Sequence, residues 1–257
     1  MTTKNTIKFI GTILTIALLY ACNNGSSILK IKNLVVFLDL SNSITANVKE
    51  WYLQTISDNI CAQLGKYDKL TIMPMDGASQ TAAKAMLTIN MEDKRKEWIA
   101  ITGVNTNETD RLRKEAAVKF IEENMDMLKA KMQSTAHERQ YAANHTDLLG
   151  ALHTMDNLYN DKYANHLIIL SDMENYSNTL KMHQGDNTDR WLSAIAKEKF
   201  TNLNKCIIHI YTGEQINMDP IYYQNIKTFW STYLKQQGVN TFNYFSAETN
   251  TLQANIN

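Results

Sequence analysis

The residues whose types and spacing first suggest chemistry are Asp39, Ser41 and Ser43, in the stretch VVFLDLSNSI from Val35 to Ile44. Side chains two positions apart on extended backbone project to the same side, so a carboxylate and two hydroxyls can converge there. These are hard oxygen donors, suited to Mg²⁺, Mn²⁺ or Ca²⁺ rather than to zinc. With 14 Asp and 12 Ser in 257 residues, a shuffled chain carries D-x-S-x-S about 0.03 times. The structural alternative is that one serine caps the helix that follows while Asp39 bonds loop amides.

The elements that must position this triplet are legible from hydrophobic spacing. Ile31 to Leu40 is a β-branched apolar run, which predicts a fully buried strand. From Ile44 to Leu64, apolar residues at Val48, Trp51, Tyr52, Ile56, Ile60 and Leu64 keep helical spacing, and Gly65 stands just past the end. DKLTIMPM, Asp68 to Met75, is a second strand, with Pro74 confining it to an edge or to its final residues. Thr81 to Ile89 alternates weakly and is expected to pair antiparallel with it. Trp98 to Thr102 fits a short strand or the buried edge of a helix. Leu112, Ala116, Phe120, Ile121, Met125, Leu128 and Met132 then predict an amphipathic helix of some seven turns.

Thr146 opens a further helix, TDLLGALHTMDNLY, with Thr146 or Asn144 as its N-cap and Asp147 in its first turn. HLIIL, His166 to Leu170, is a strand ending in Ser171-Asp172, followed by a polar loop to residue 187. A helix over Trp191–Phe200, a strand over Lys205–Tyr211, a helix over Ile221–Tyr233 and a strand over Thr241–Phe245 complete the run. Strands alternating with helices predict an α/β fold, a doubly wound, mainly parallel central sheet with helices on both faces. Such sheets bind ligands beyond the carboxyl ends of their strands, where strand order reverses. Asp39 stands at the carboxyl end of the first strand.

Two further stretches join the triplet. Asn144-His145-Thr146-Asp147 followed by LLGAL, and LIILSDMEN with Asp172, stand in the order and context of one known family. Together with D-x-S-x-S, they resemble the metal-ion-dependent adhesion site of von Willebrand factor type A domains, a Rossmann-like fold also carried by integrin inserted domains. The resemblance covers roughly residues 31 to 245. It implies that Ser41 and Ser43 bind the metal directly, Thr146 directly or through water, and Asp39 and Asp172 mostly through bridging waters. It also implies Mg²⁺ as the ion, with Mn²⁺ or Ca²⁺ as alternatives, and a protein partner that supplies an acidic side chain to the ion. The chain departs from the family in three places. Met173 and Glu174 follow the second aspartate where glycine is usual; Glu174 either adds negative charge near the metal or faces solvent, the second being the expectation. The segment 91–144 is longer and more helical than the usual layout, an insertion able to shape partner choice or to act as a packed cover. The family's final helix is missing or reduced after Phe245, where the tail 246–257 is polar.

The first residues have a different character. Lys4 and Lys8 precede FIGTILTIALLYA, residues 9–21, whose thirteen uncharged residues would span about 20 Å as a helix, short of the ~30 Å hydrocarbon core. That suits a cleaved secretory signal over residues 1–21. Leu19-Tyr20-Ala21-Cys22 resembles the lipobox of bacterial lipoproteins, which implies acylation of Cys22, a tether over 22–30, and a lipid-anchored place on a membrane of the bacterial cell envelope. The two remaining cysteines, Cys61 and Cys206, sit in apolar periodic segments and read as buried thiols, with a disulfide between them as the alternative in an exported protein.

Composition excludes some classes. The 26 basic residues balance the 26 acidic ones, with no clustered Lys/Arg run, which argues against nucleic acid as a partner. There is no G-x-S-x-G elbow, G-x-x-x-x-G-K-[ST] loop or H-E-x-x-H, and His145 and His153 lie too far apart for a helical i, i+4 pair. The expectation is therefore a non-enzymatic, cation-dependent protein-binding module. Its rivals are an envelope scaffold in which the metal only braces loops and, more remotely, a metal-dependent hydrolase.

Overall fold

The computed structural model describes residues 31–65, 67–91, 106–213 and 218–246. The apolar run 9–21, Cys22, the segment 98–102 and the tail beyond Ser246 lie outside them. Strand β1 (Lys32–Asp39) occupies the middle of a six-stranded sheet because its side chains are apolar on both faces. Leu34, Val36 and Leu38 bury into one hydrophobic layer, Val35 and Phe37 into the other. β1 runs parallel to β2 (Lys69–Met75) on one side and to β4 (Ala164–Leu170) on the other, with Val36 opposite both Ile72 and Ile168. β5 (Ile207–Thr212) and β6 (Phe242–Ser246) extend the sheet in parallel, and the short β3 (Leu87–Asn90) closes the far edge antiparallel to β2. The strand order is β3-β2-β1-β4-β5-β6. The chain thus winds outward in opposite directions from β1 and β4, and the reversal point lies between them.

Helices cover both faces. α1 (Ala46–Thr55) and α2 (Thr106–Glu138) share the layer of Leu34 and Val36; α3 (Leu148–Leu158), α4 (Thr188–Ala194) and α5 (Pro220–Gln236) share that of Val35 and Phe37. Aromatic rings bind the second layer together. Trp191 of α4 meets Phe229 of α5 edge-on at 5.8 Å, and Phe229 stacks on Tyr233 at 5.9 Å.

Several boundaries differ from the sequence expectation. The helix expected over 44–64 is α-helical only to Thr55, then widens to a π turn over Ile56–Ile60 and tightens to a 3₁₀ turn over Cys61–Gln63. The change of pitch keeps Ile56, Ile60 and Cys61 all buried. α2 is longer than expected, 33 residues or about nine turns. Phe120, Met125, Leu128 and Met132 are buried as expected, but Leu112 is 36% exposed. β3 begins only at Leu87, and α4 stops at Ala194 while Ile195 and Phe200 remain buried in the turns that follow. Pro74 is the next-to-last residue of an interior strand. Cys61 and Cys206 are free and buried in opposite layers, and burial pushes each thiol up to about 12. Among the described residues, no helix is long and apolar enough to cross a membrane.

Candidate metal centre

Where β1 and β4 end, three loops bring all five expected side chains together. Asp39 is the last residue of β1 and fully buried. Its Oδ1 accepts the Ser41 amide at 2.9 Å, which turns the chain sharply after the strand. Its Oδ2 accepts the Ser171 hydroxyl at 2.6 Å and lies 3.5 Å from Thr146 Oγ1, which donates to it. The Ser41 and Ser43 hydroxyls are hydrogen-bonded at 2.9 Å, and Ser43 in turn bonds the Asp172 carboxyl. Asp172 Oδ1 also accepts the Glu174 amide at 3.0 Å.

Thr146 is free to face Asp39 because another residue caps the helix behind it. The N-cap of α3 is Asp147, not Thr146 or Asn144; its Oδ1 accepts the Gly150 amide at 2.9 Å. A Cβ at Gly150 would lie 2.2 Å from Asp147 Oδ2, so any larger residue there would displace the capping carboxylate. Asn144 instead accepts from Asn42 Nδ2 at 2.8 Å, joining two of the loops. Asn175, fully buried, accepts the amides of Leu148 and Leu149, two more orphan donors of the helix start. The Tyr176 amide donates to the Thr146 carbonyl at 2.8 Å, and His145 stacks on the Tyr176 ring.

Two buried carboxylates side by side repel each other and lack water. Burial, then Asp39, pushes the Asp172 carboxyl up to about 7. Burial likewise raises Asp39, against the lowering effect of Ser171 and Ser41. Among the described residues neither acid forms an ion pair. Lys49, half-buried, donates to the Leu40 carbonyl at 3.3 Å, and burial lowers its pKa. The Tyr52 hydroxyl beside them is held well above its ordinary pKa, by burial first and then by the two acids. A pair of buried acids ringed by hydroxyls is stabilised by a cation. Among the described residues no three His, Cys, Asp or Glu side chains converge on one point. With three hydroxyls among its five donors, the set fits Mg²⁺ or Mn²⁺ better than zinc.

Three contributors went unseen in the sequence reading, and a fourth, Met173, was noted there only as a departure from the expected glycine. Ser171 orients Asp39. Lys49 and Asn175 brace the loops. Met173 holds φ at 66°, the left-handed region that glycine occupies without strain, and is the only non-glycine residue there among the described residues. Its amide donates to Ser171 Oγ at 3.0 Å and its carbonyl accepts from Trp230 Nε1 at 2.8 Å. The sequence signal for it was the expected glycine at this position. Glu174 corrects the expectation that it faces solvent. It accepts from the Tyr222 hydroxyl at 2.8 Å and, with Ser43, Asp172, Met182 and Met218, lines a cleft of about 530 Å³.

The fold and site define a class, a doubly wound α/β domain with an oxygen-donor cluster at its topological switch point. No family model matches the sequence, and no curated protein matches it. Among solved structures the chain is similar to one described as manganese-loaded Plasmodium vivax TRAP protein. The two are 12% identical, 84% of this chain and 69% of that chain are covered, and the TM-score is 0.39. At that level the likeness supplies no residue-by-residue correspondence.

Proposed function

We propose that the chain is a divalent-cation-dependent protein-binding module, anchored to a bacterial envelope membrane by a lipid on Cys22. The observation that carries the cation reading is the convergence of Asp39, Ser41, Ser43, Thr146 and Asp172 around two buried, mutually repelling carboxylates. Mg²⁺ is the ion proposed, held through Ser41, Ser43 and Thr146 with the two aspartates balancing its charge. When bound, it supplies a positive centre that takes an acidic group from a protein partner. The chain's own residues hold the loops: Ser171 fixes Asp39, Asp147 takes over the cap so that Thr146 is released, and Asn175 ties the β4 loop to α3. Ser43 is solvent-exposed and Asp172 lines the open cleft, so a partner can approach from that side.

Calorimetric titration of the full chain with Mg²⁺, followed by binding to an immobilised peptide bearing a single glutamate with Mg²⁺ or with EDTA, tests this. Saturable Mg²⁺ binding with cation-dependent peptide capture is expected. Absence of Mg²⁺ binding sinks the cation reading. Capture that persists in EDTA sinks the adhesion reading and leaves an ion that only braces loops.

A further inference from the structure

The long helix α2 ends beside the candidate metal centre, and the side chain of the residue just past it reaches into the loop framework. Arg139, 8% exposed, continues the helical hydrogen bonding from Thr135 and places its Nη2 2.6 Å from Asp76 Oδ1. Asp76 follows β2 directly and is 2% exposed; the same oxygen also accepts the Ala78 amide at 2.8 Å. Arg139 Nε is buried with no hydrogen-bond partner among the described residues. A buried ion pair that leaves a donor unsatisfied is a poor source of stability, because desolvation of both charges offsets most of their attraction. Its better-attested use is to specify geometry.

The geometry it specifies leads to Thr146. The Asp76 carbonyl accepts the amide of Asp147, the residue after Thr146, at 3.2 Å. The Gly77 amide donates to the Ala142 carbonyl at 3.1 Å, as does the His145 amide at 3.2 Å. The Asn42 amide, between Ser41 and Ser43, donates to the Ala143 carbonyl at 2.7 Å. The segment from Arg139 to Asp147 is thus clamped to the β2 loop at both ends and to the β1 loop in its middle.

We infer that Arg139 and Asp76 are positioning residues for the cation site. Their ion pair pins the exit of α2 so that the Thr146 hydroxyl stands 3.5 Å from Asp39. This rests on the cation reading above and gives the 91–144 segment a task, since its final residues frame the centre rather than merely covering the sheet.

The test is Mg²⁺ titration of the full chain for wild type, Arg139→Met, Asp76→Asn and Arg139→Lys, each also in a Thr146→Ala background. Arg139→Met is expected to weaken Mg²⁺ affinity by about tenfold or more, the size usual for groups that orient a metal ligand. Arg139→Lys is expected to recover part of that loss. In the Thr146→Ala background, Arg139→Met is expected to add little, because both changes act on one hydroxyl. Should Arg139→Met fail to fold, Asp76→Asn keeps the loop's shape and carries the same expectation. Folded variants with wild-type Mg²⁺ affinity and only a lowered melting temperature overturn the inference while leaving the cation site standing. Additive losses with Thr146→Ala overturn it too. A wild type that binds no Mg²⁺ overturns the cation reading itself, and this inference with it.

Discussion

Ser171 donates a 2.6 Å hydrogen bond to Asp39, joining the ends of the two central strands inside the fully buried floor of the site. Ser171→Ala removes the shortest donor to Asp39 Oδ2 and leaves it the longer contact from Thr146. A hydrogen bond to a buried carboxylate contributes roughly 1.5–3 kcal/mol, and outer partners of metal ligands change affinity about 10–100-fold. The variant is expected to lose stability in urea unfolding and to bind Mg²⁺ at least about tenfold more weakly. Unchanged Mg²⁺ affinity would show that Asp39 needs no orienting.

Ser41 and Ser43 tell binding apart from folding. Ser43 is exposed and both hydroxyls bond chiefly within the site, so the double change Ser41→Ala, Ser43→Ala removes donors without opening the core. Thermal melts are expected to show a Mg²⁺-dependent rise in wild type that vanishes in the variant, with similar melting temperatures in EDTA. A variant that keeps the rise rules out these hydroxyls as ligands.

Met173 sets strain against burial. Replacing it with glycine relieves about 1–2 kcal/mol of left-handed strain, whereas losing a fully buried methionine costs about 2–5 kcal/mol. Burial wins, and Met173→Gly is expected to be less stable by about 2 kcal/mol in urea unfolding. A more stable variant would mean that strain dominates at this turn.

His166 and His209 stack at 5.5 Å with ring nitrogens 3.3 Å apart, both buried, and burial holds each near pKa 4. Each binds its proton more weakly folded than unfolded, where the pKa is about 6.5. The stability they contribute is therefore fully present above about pH 6.5 and lost as pH falls toward 4. The loss amounts to roughly 3 kcal/mol for each ring, moderated by their coupling. Urea unfolding between pH 7 and 4 is expected to show this slope, and His209→Gln is expected to reduce it. The raised Asp172 carboxyl gains stability over the same range in both proteins, so the comparison isolates the rings. A His209→Gln slope equal to that of wild type would place the ring in contact with water.

The strands and the Asp39, Ser41, Ser43 triplet were readable because their signals are local. A run such as LVVFL announces burial on both faces, and D-x-S-x-S announces its oxygen donors, although Ser41 and Ser43 converge through the turn after β1 rather than along extended chain. The cap of α3 was misassigned because Asn144, Thr146 and Asp147 are all competent caps, and tertiary hydrogen bonds to Asn42, Asp39 and Gly150 decide among them. The π turn after Thr55 was hidden for a related reason. Apolar spacing is compatible with more than one pitch, and only the sheet beneath Ile56 and Ile60 selects between them.

By itself the sequence determined which side chains carry oxygen donors, that Asp39 and Asp172 each stand at the carboxyl end of a buried strand, and that strands and helices alternate. Those properties depend on residue type and near-neighbour spacing alone. Only the tertiary structure decided that donors up to 133 positions apart, from Asp39 to Asp172, meet at one point. It alone turned Glu174 onto Tyr222 and brought Arg139 to Asp76. These pairings arise because parallel strands place their carboxyl ends side by side whatever their separation in the chain, and local patterning carries no record of that proximity.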